Sequence, residues 1–122
     1  MQALNIRKAV REDSALLLQF VEELAIYEKA LDQVEATVDA IEESLFAEDS
    51  HSYALICEHR GEPVGCAIYF FNYSTWLAKP GLYLEDLYVT PQSRGLGAGK
   101  ALLRAMANIA LKNSLYVVWY II

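Results

Sequence analysis

Apolar and polar positions alternate through LNIRKAV, residues 4–10, and predict a strand. Asp13 and Ser14 then offer N-cap chemistry. Leu17, Phe20, Val21, Leu24 and Tyr27 recur at spacings of three and four, which predicts an amphipathic helix over residues 14–29. Thr37 is placed to cap a shorter helix running to about Phe46, with Val38, Ile41 and Leu45 as its apolar stripe. SYALICEH (52–59) and PVGCAIYFFNYS (63–74) are β-rich runs on either side of a turn that contains Gly61, a hairpin signal. TWLAKPG (75–81) reads as a connection punctuated by Pro80 and Gly81. A strand is predicted at 82–89, then a glycine loop, then a helix from about Gly97 to Lys112 with Ala101, Leu102, Ala105, Met106 and Ile109 inward. SLYVVWYII (114–122) reads as a last strand.

The predicted order is β-α-α-β-β-β-α-β. It implies a mixed α/β (α+β) domain with a mainly antiparallel central sheet, flanked by helices, and one strand–loop–helix crossover near its end. A chain of 122 residues, 55% hydrophobic and 21% charged, is expected to form a single domain over 1–122. The formal charge of −6 disfavours nucleic acid and anionic membranes as partners and is compatible with a small cationic substrate. No signal-peptide core and no apolar run of membrane-spanning length is present, so a soluble cytoplasmic protein is expected. Cys57 and Cys66 flank the hairpin turn, where pairing could bring them near each other, but nothing else suggests a disulfide scaffold. His51 and His59 sit in polar, loop-like settings, and no Cys/His cluster has metal-ligand spacing, so no metal is expected.

The chemistry concentrates in RGLGAGKALLRA, residues 94–105, directly behind LYLEDLYV, residues 82–89. A phosphate loop of the nucleotide-hydrolase type would need glycine where Arg94 stands and a hydroxyl where Ala101 stands. A dinucleotide fingerprint would need glycine at Lys100. What remains is R-x-x-G-x-G, Arg94 to Gly99, between a strand and a helix. Glycines allow close backbone approach and positive φ. The first amides of a helix have no internal partners, and with the helix dipole they suit a diphosphate. Arg94 and Lys100 add positive charge at the rim.

The segment LYLEDLYVTPQSRGLGAGKALL resembles the coenzyme A-binding segment of the GNAT superfamily of N-acetyltransferases. ELAIYEKALDQV (23–34), YFFNYSTWLAK (69–79) and YLEDLYV (83–89) are similar to its diamine (spermidine/spermine-type) branch. The resemblance covers about the first 110 residues and implies acetyl-CoA as cofactor. It places the coenzyme's pyrophosphate on the amides of Arg94, Gly95, Leu96, Gly97, Ala98 and Gly99, with Lys100 beside them. The pantetheine arm would run along Leu87, Tyr88 and Val89. The family continues with elements that this chain lacks after the strand "VVWYII", so the expectation is a GNAT-like fold without its last C-terminal elements, one of which carries the family's general-acid tyrosine. Neither Tyr116 nor Tyr120 matches that tyrosine.

Amine acetylation needs a base to take the amine's proton, a donor for the developing oxyanion, and protonation or tolerance of the thiolate that leaves. Glu85 is the candidate base acting through water, and Asp86 the candidate anchor for a cationic substrate. A bulge in this strand, which the family has, would free an amide near Leu87 for the thioester oxygen. In the diamine branch the positions of Tyr27, Glu28 and Trp76 help to line the channel for the amine; an aromatic wall with carboxylates suits an alkylammonium chain. Ser74 stands where that branch has an acid. The leading expectation is acetyl transfer to a primary amine of a small cation such as a polyamine. Alternatives are another amine (an amino acid, an aminoglycoside or a protein N-terminus) or a catalytically impaired acyl-CoA-binding or dimerising module. An apolar terminal strand also leads to the expectation of a homodimer.

Overall fold

A computed structural model describes residues 3–113 and the backbone of 116–118. The elements follow the predicted order: β1 (Leu4–Lys8), α1 (Ser14–Tyr27), α2 (Val38–Phe46), β2 (Ser52–His59), β3 (Glu62–Ser74), β4 (Lys79–Val89), α3 (Ala98–Lys112) and β5 (Tyr116–Val118). The sheet runs β1-β2-β3-β4-β5; the first four strands are antiparallel, and β5 joins β4 in parallel after the α3 crossover. The expected last strand is present at 116–118, while Trp119 to Ile122 and the edge expected to dimerise lie outside the described residues.

The two sheet faces carry separate cores. On one, α1 packs through Leu17 and Phe20, and α2 through Ile41 and Leu45, against the cluster of Ala54, Ile56, Cys66 and Tyr88. On the other, α3 packs through Ala98, Leu102, Met106 and Ala110 onto Leu55, Cys57, Tyr69, Leu82 and Leu84. Cys57 and Cys66 therefore sit on opposite faces of the hairpin, both buried and both free thiols. Strand alternation separates them, although the turn brings their strands together. Burial pushes the Cys66 thiol up to about 12 and the Cys57 thiol upward as well.

Local chemistry explains most of the boundaries. Thr37 caps α2 as expected, its Oγ1 accepting the Ala40 amide at 3.1 Å. The β2–β3 turn places Arg60 and Gly61 at φ 53° and 83°, the left-handed pair that a two-residue hairpin turn requires. The N-cap expectation for α1 fails, because the Asp13 carboxylate is occupied elsewhere. It forms a two-pronged ion pair with Arg7 at 2.7 and 3.0 Å and accepts the Val10 amide at 2.7 Å, while Ser14 Oγ donates to the Arg11 carbonyl. Arg7 Nε also reaches Glu58 at 3.1 Å, tying β1, β2 and the start of α1 together.

Two other boundaries differ from the sequence reading. His59 ends β2, half-buried, and does not lie in a loop. The segment 79–81 is strand: Tyr73 pairs with Pro80 and Asn72 with Gly81, so the connection shrinks to the turn 75–78. Pro80 lies close to the hairpin tip, near the strand's first residue, where a missing amide donor is tolerated.

Candidate active site

β4 carries the site, and its register with β3 decides which way each side chain points. Ile68 pairs with Asp86, but Tyr69 pairs with Leu84, which leaves Glu85 as the extra residue of a bulge. The bulge reverses the alternation. Leu82 and Leu84 face α3 before it, and Leu87 and Val89 face α3 after it. Asp86 and Tyr88 consequently turn to the α1 face, where the Tyr88 ring meets Phe20 at a tilt of 49° with centroids 5.8 Å apart.

Backbone polarity follows from the same pairing. The Thr90 amide donates to the Val64 carbonyl at 2.8 Å, toward β3. Alternation then directs the Tyr88 amide toward β3, and the amides of Leu87 and Val89 toward the opposite edge. Among the described residues β5 pairs only with Gly81, Leu82 and Tyr83, and no described strand pairs with that edge of β4 from Leu84 onward. A strand edge with outward amides can pair with an extended chain that is not protein. Arg94 Nε already donates to the Val89 carbonyl there at 3.3 Å.

The glycine loop lies at the end of this edge. Gly95 and Gly97 have φ of 93° and 86°, a left-handed conformation that side chains rarely adopt, and space around both is open. Gly97 is the N-cap of α3 and no side chain caps the helix. The first intrahelical amide bond runs from Ala101 to the Gly97 carbonyl, so the amides of Ala98, Gly99 and Lys100 have no helical acceptor. Donors without a capping side chain, in an uncrowded loop, with Arg94 and Lys100 exposed nearby, fit a diphosphate. Leu96 is half-buried and anchors the loop.

The acidic side of the site is set by Asp86. It is half-buried, and burial first, then the negative charges of Glu85 and Glu28, push its carboxyl up from 3.8 to about 6. Glu85 itself is exposed at the bulge, and Glu28 is exposed where α1 ends. Both charges thus act on Asp86, although they come from different parts of the chain. Tyr27 is 69% exposed, and its ring lies under the Arg94 guanidinium at 5.2 Å, linking the end of α1 to the glycine loop. Trp76 stands in the turn between β3 and β4, 96% exposed. Ser74 accepts the Leu77 amide on its hydroxyl at 3.1 Å and is engaged in that same turn.

Two features were missed in the sequence. Tyr88 is buried and donates its hydroxyl to Glu23 at 2.8 Å; burial and that bond push the phenol up to about 12. Phe70 and Tyr83 stack with centroids 4.6 Å apart. The first depends on how α1 packs on the sheet and the second on cross-strand register, neither of which a local pattern displays.

A model of the acetyltransferase (GNAT) family matches residues 17–121. The chain belongs to that family. Among curated relatives, thialysine N-epsilon-acetyltransferase of Sus scrofa is 38% identical over 119 residues, covering 91% of this chain and 69% of the relative. Spermidine/spermine N(1)-acetyltransferase-like protein 1 of Homo sapiens is 34% identical over 132 residues, covering 98% of this chain but 19% of that larger protein. A predicted acetyltransferase from Clostridium acetobutylicum, solved with acetyl-CoA, superposes with a TM-score of 0.74 at 21% identity, covering 97% of this chain and 80% of that one, which is a likeness of fold. The GNAT assignment makes the chain an acetyltransferase, and the mixed α/β fold expected from the order of elements is the one observed.

Proposed function

We propose that the protein transfers the acetyl group of acetyl-CoA to a primary amine of a small cation, of the polyamine or aminoalkyl amino acid kind. One observation carries the reading: the bulge at Glu85 turns Asp86 to the α1 face, beside the charge of Glu28, and leaves the amides of Leu87 and Val89 pointing away from β3. Curated relatives named for thialysine and for spermidine/spermine support an aliphatic amine as acceptor.

The Arg94 amide donates to the Pro91 carbonyl at 3.4 Å, which removes it from the expected set; the amides of 95–99, with the side chains of Lys100 and Arg94, would hold the coenzyme's diphosphate. Leu87, Tyr88 and Val89 would flank its arm, with Leu87 and Val89 offering backbone hydrogen bonds. When bound, acetyl-CoA supplies an activated acyl thioester. Asp86 holds the ammonium group by charge, with Glu28 adding to the field. Glu85, exposed at the bulge, takes the proton from the amine through a water. The Leu87 amide is a fixed donor for an acyl carbonyl oxygen as it gains charge. Tyr27 and Trp76 complete the aromatic part of the entrance, Tyr27 from under Arg94 and Trp76 from the hairpin tip.

Coenzyme A release with spermidine, thialysine, an aminoglycoside and free amino acids tests the acceptor. Release fastest with the aliphatic di- and polyamines or thialysine supports the reading; release confined to aminoglycosides or α-amines contradicts it. Glu85→Gln should slow release about 100-fold without weakening acetyl-CoA binding. An unchanged rate at every pH removes Glu85 from the proton transfer.

A further inference from the structure

Phe70 on β3 and Tyr83 on β4 are register partners, and their rings stack at 4.6 Å with planes 28° apart. Both are half-buried, and neither belongs to the two buried clusters. Their face follows from alternation. Along β3, Cys66 and Ile68 pack on the α1 side, so Phe70 points there too. Along β4, Leu82 and Leu84 point to α3, so Tyr83 points the other way, and the bulge returns Asp86 to the side of Tyr83. The pair Phe70–Tyr83 is therefore the next rung after Ile68–Asp86 on one face, about 7 Å further along the strands.

Tyr27 and Trp76 are the two aromatics expected to line the channel. Tyr27 has its ring beneath Arg94, and Trp76 projects from the turn. A stacked pair one rung from a carboxylate is better placed for a flexible cation, because aromatic faces attract ammonium groups and cover methylenes.

We infer that Phe70 and Tyr83 form the floor on which the alkyl chain of the acceptor amine lies, and so select for long aliphatic diamines or lysine-like side chains over short amines. The inference rests on the reading above that Asp86 holds an ammonium group of the acceptor. It adds two specificity-determining residues beyond the carboxylates.

Titration calorimetry at neutral pH with 1,5-diaminopentane and with methylamine tests it, without requiring turnover. The wild type should bind the diamine clearly more tightly than methylamine. Tyr83→Leu and Phe70→Leu should each weaken the diamine about tenfold and leave methylamine and acetyl-CoA binding unchanged. Tyr83→Phe keeps the ring and should remain within about twofold of wild type. Diamine affinity unaltered in the leucine variants overturns the inference, as does a wild type that binds both amines equally or binds neither. If one leucine variant fails to fold by circular dichroism, the other and Tyr83→Phe still decide. Diamine binding that depends on both rings, with no coenzyme A release for any amine, would uphold the floor and refute the transferase reading separately.

Discussion

Replacing Asp86 by asparagine keeps the shape of the side chain and removes a charge that the fold holds at a cost. Burial and the charges of Glu85 and Glu28 raise the carboxyl from 3.8 to about 6 in the folded protein. The folded state therefore binds the proton more tightly than the unfolded chain. This lowers stability as pH rises from about 4 to about 6, and the full penalty stands above that window. Unscreened, such a change is worth about 3 kcal/mol; with the group only half-buried, solvent screening leaves roughly 1–2 kcal/mol. Asp86→Asn should thus be more stable than wild type by that amount near neutral pH, relative to its own offset at about pH 4. In thermal melts this is about 3–8 °C. The assay is urea or thermal unfolding of both proteins across pH 4 to 8, reading the pH-dependent part of their difference, which cancels the titrating groups that do not interact with Asp86. The same variant should lose most diamine affinity, since the ammonium's partner is gone. Parallel stability curves, or a difference that grows as pH falls, would refute the reasoning that Asp86 is a strained carboxylate waiting for a cation.

Two further substitutions probe the scaffold under the site. A Cβ on Gly65 would meet the Tyr88 carbonyl oxygen at 2.5 Å, so Gly65→Ala must push β3 from β4 opposite Val89 and should cost about 1–3 kcal/mol in urea unfolding. Arg7→Met strips Asp13 of the partner that chiefly lowers its carboxyl and should cost about 1–3 kcal/mol at neutral pH. Because the folded value is depressed, that stabilisation is present above about pH 4 and is lost as pH falls through the lower folded value, so the two proteins should converge in acid melts.

The order of elements was legible because each hydrophobic period is intact: three-and-four spacing in α1 and α3, alternation in β1, and a glycine turn between β2 and β3. The glycine loop was legible too, since its chemistry is local and the left-handed conformation at Gly95 and Gly97 is one that glycine adopts without strain. What could not be read depends on register. Cys57 and Cys66 are adjacent to one turn yet face opposite cores, a matter of parity. Pro80 and Gly81 look like punctuation, but the long β3 reaches past them and recruits them as strand. The position of the bulge was written in β4: Leu82, Leu84, Leu87 and Val89 keep a spacing of two except for one step of three. That step marks Glu85 as the residue added to the strand, and it also moves Asp86 and Tyr83 to one side. Phe70 carries no local mark at all, because its neighbour is thirteen positions away and found only through pairing.

The central claim is that the free amides where α3 begins seat the coenzyme's diphosphate. Calorimetric titration of acetyl-CoA into wild type and Gly97→Asp tests it most directly, with circular dichroism to confirm that both are folded. The account predicts one bound acetyl-CoA per chain for the wild type and loss of at least about 100-fold in affinity for the variant, since a carboxylate would enter an anion site and strain a left-handed residue. Equal affinity in the two folded proteins would contradict it.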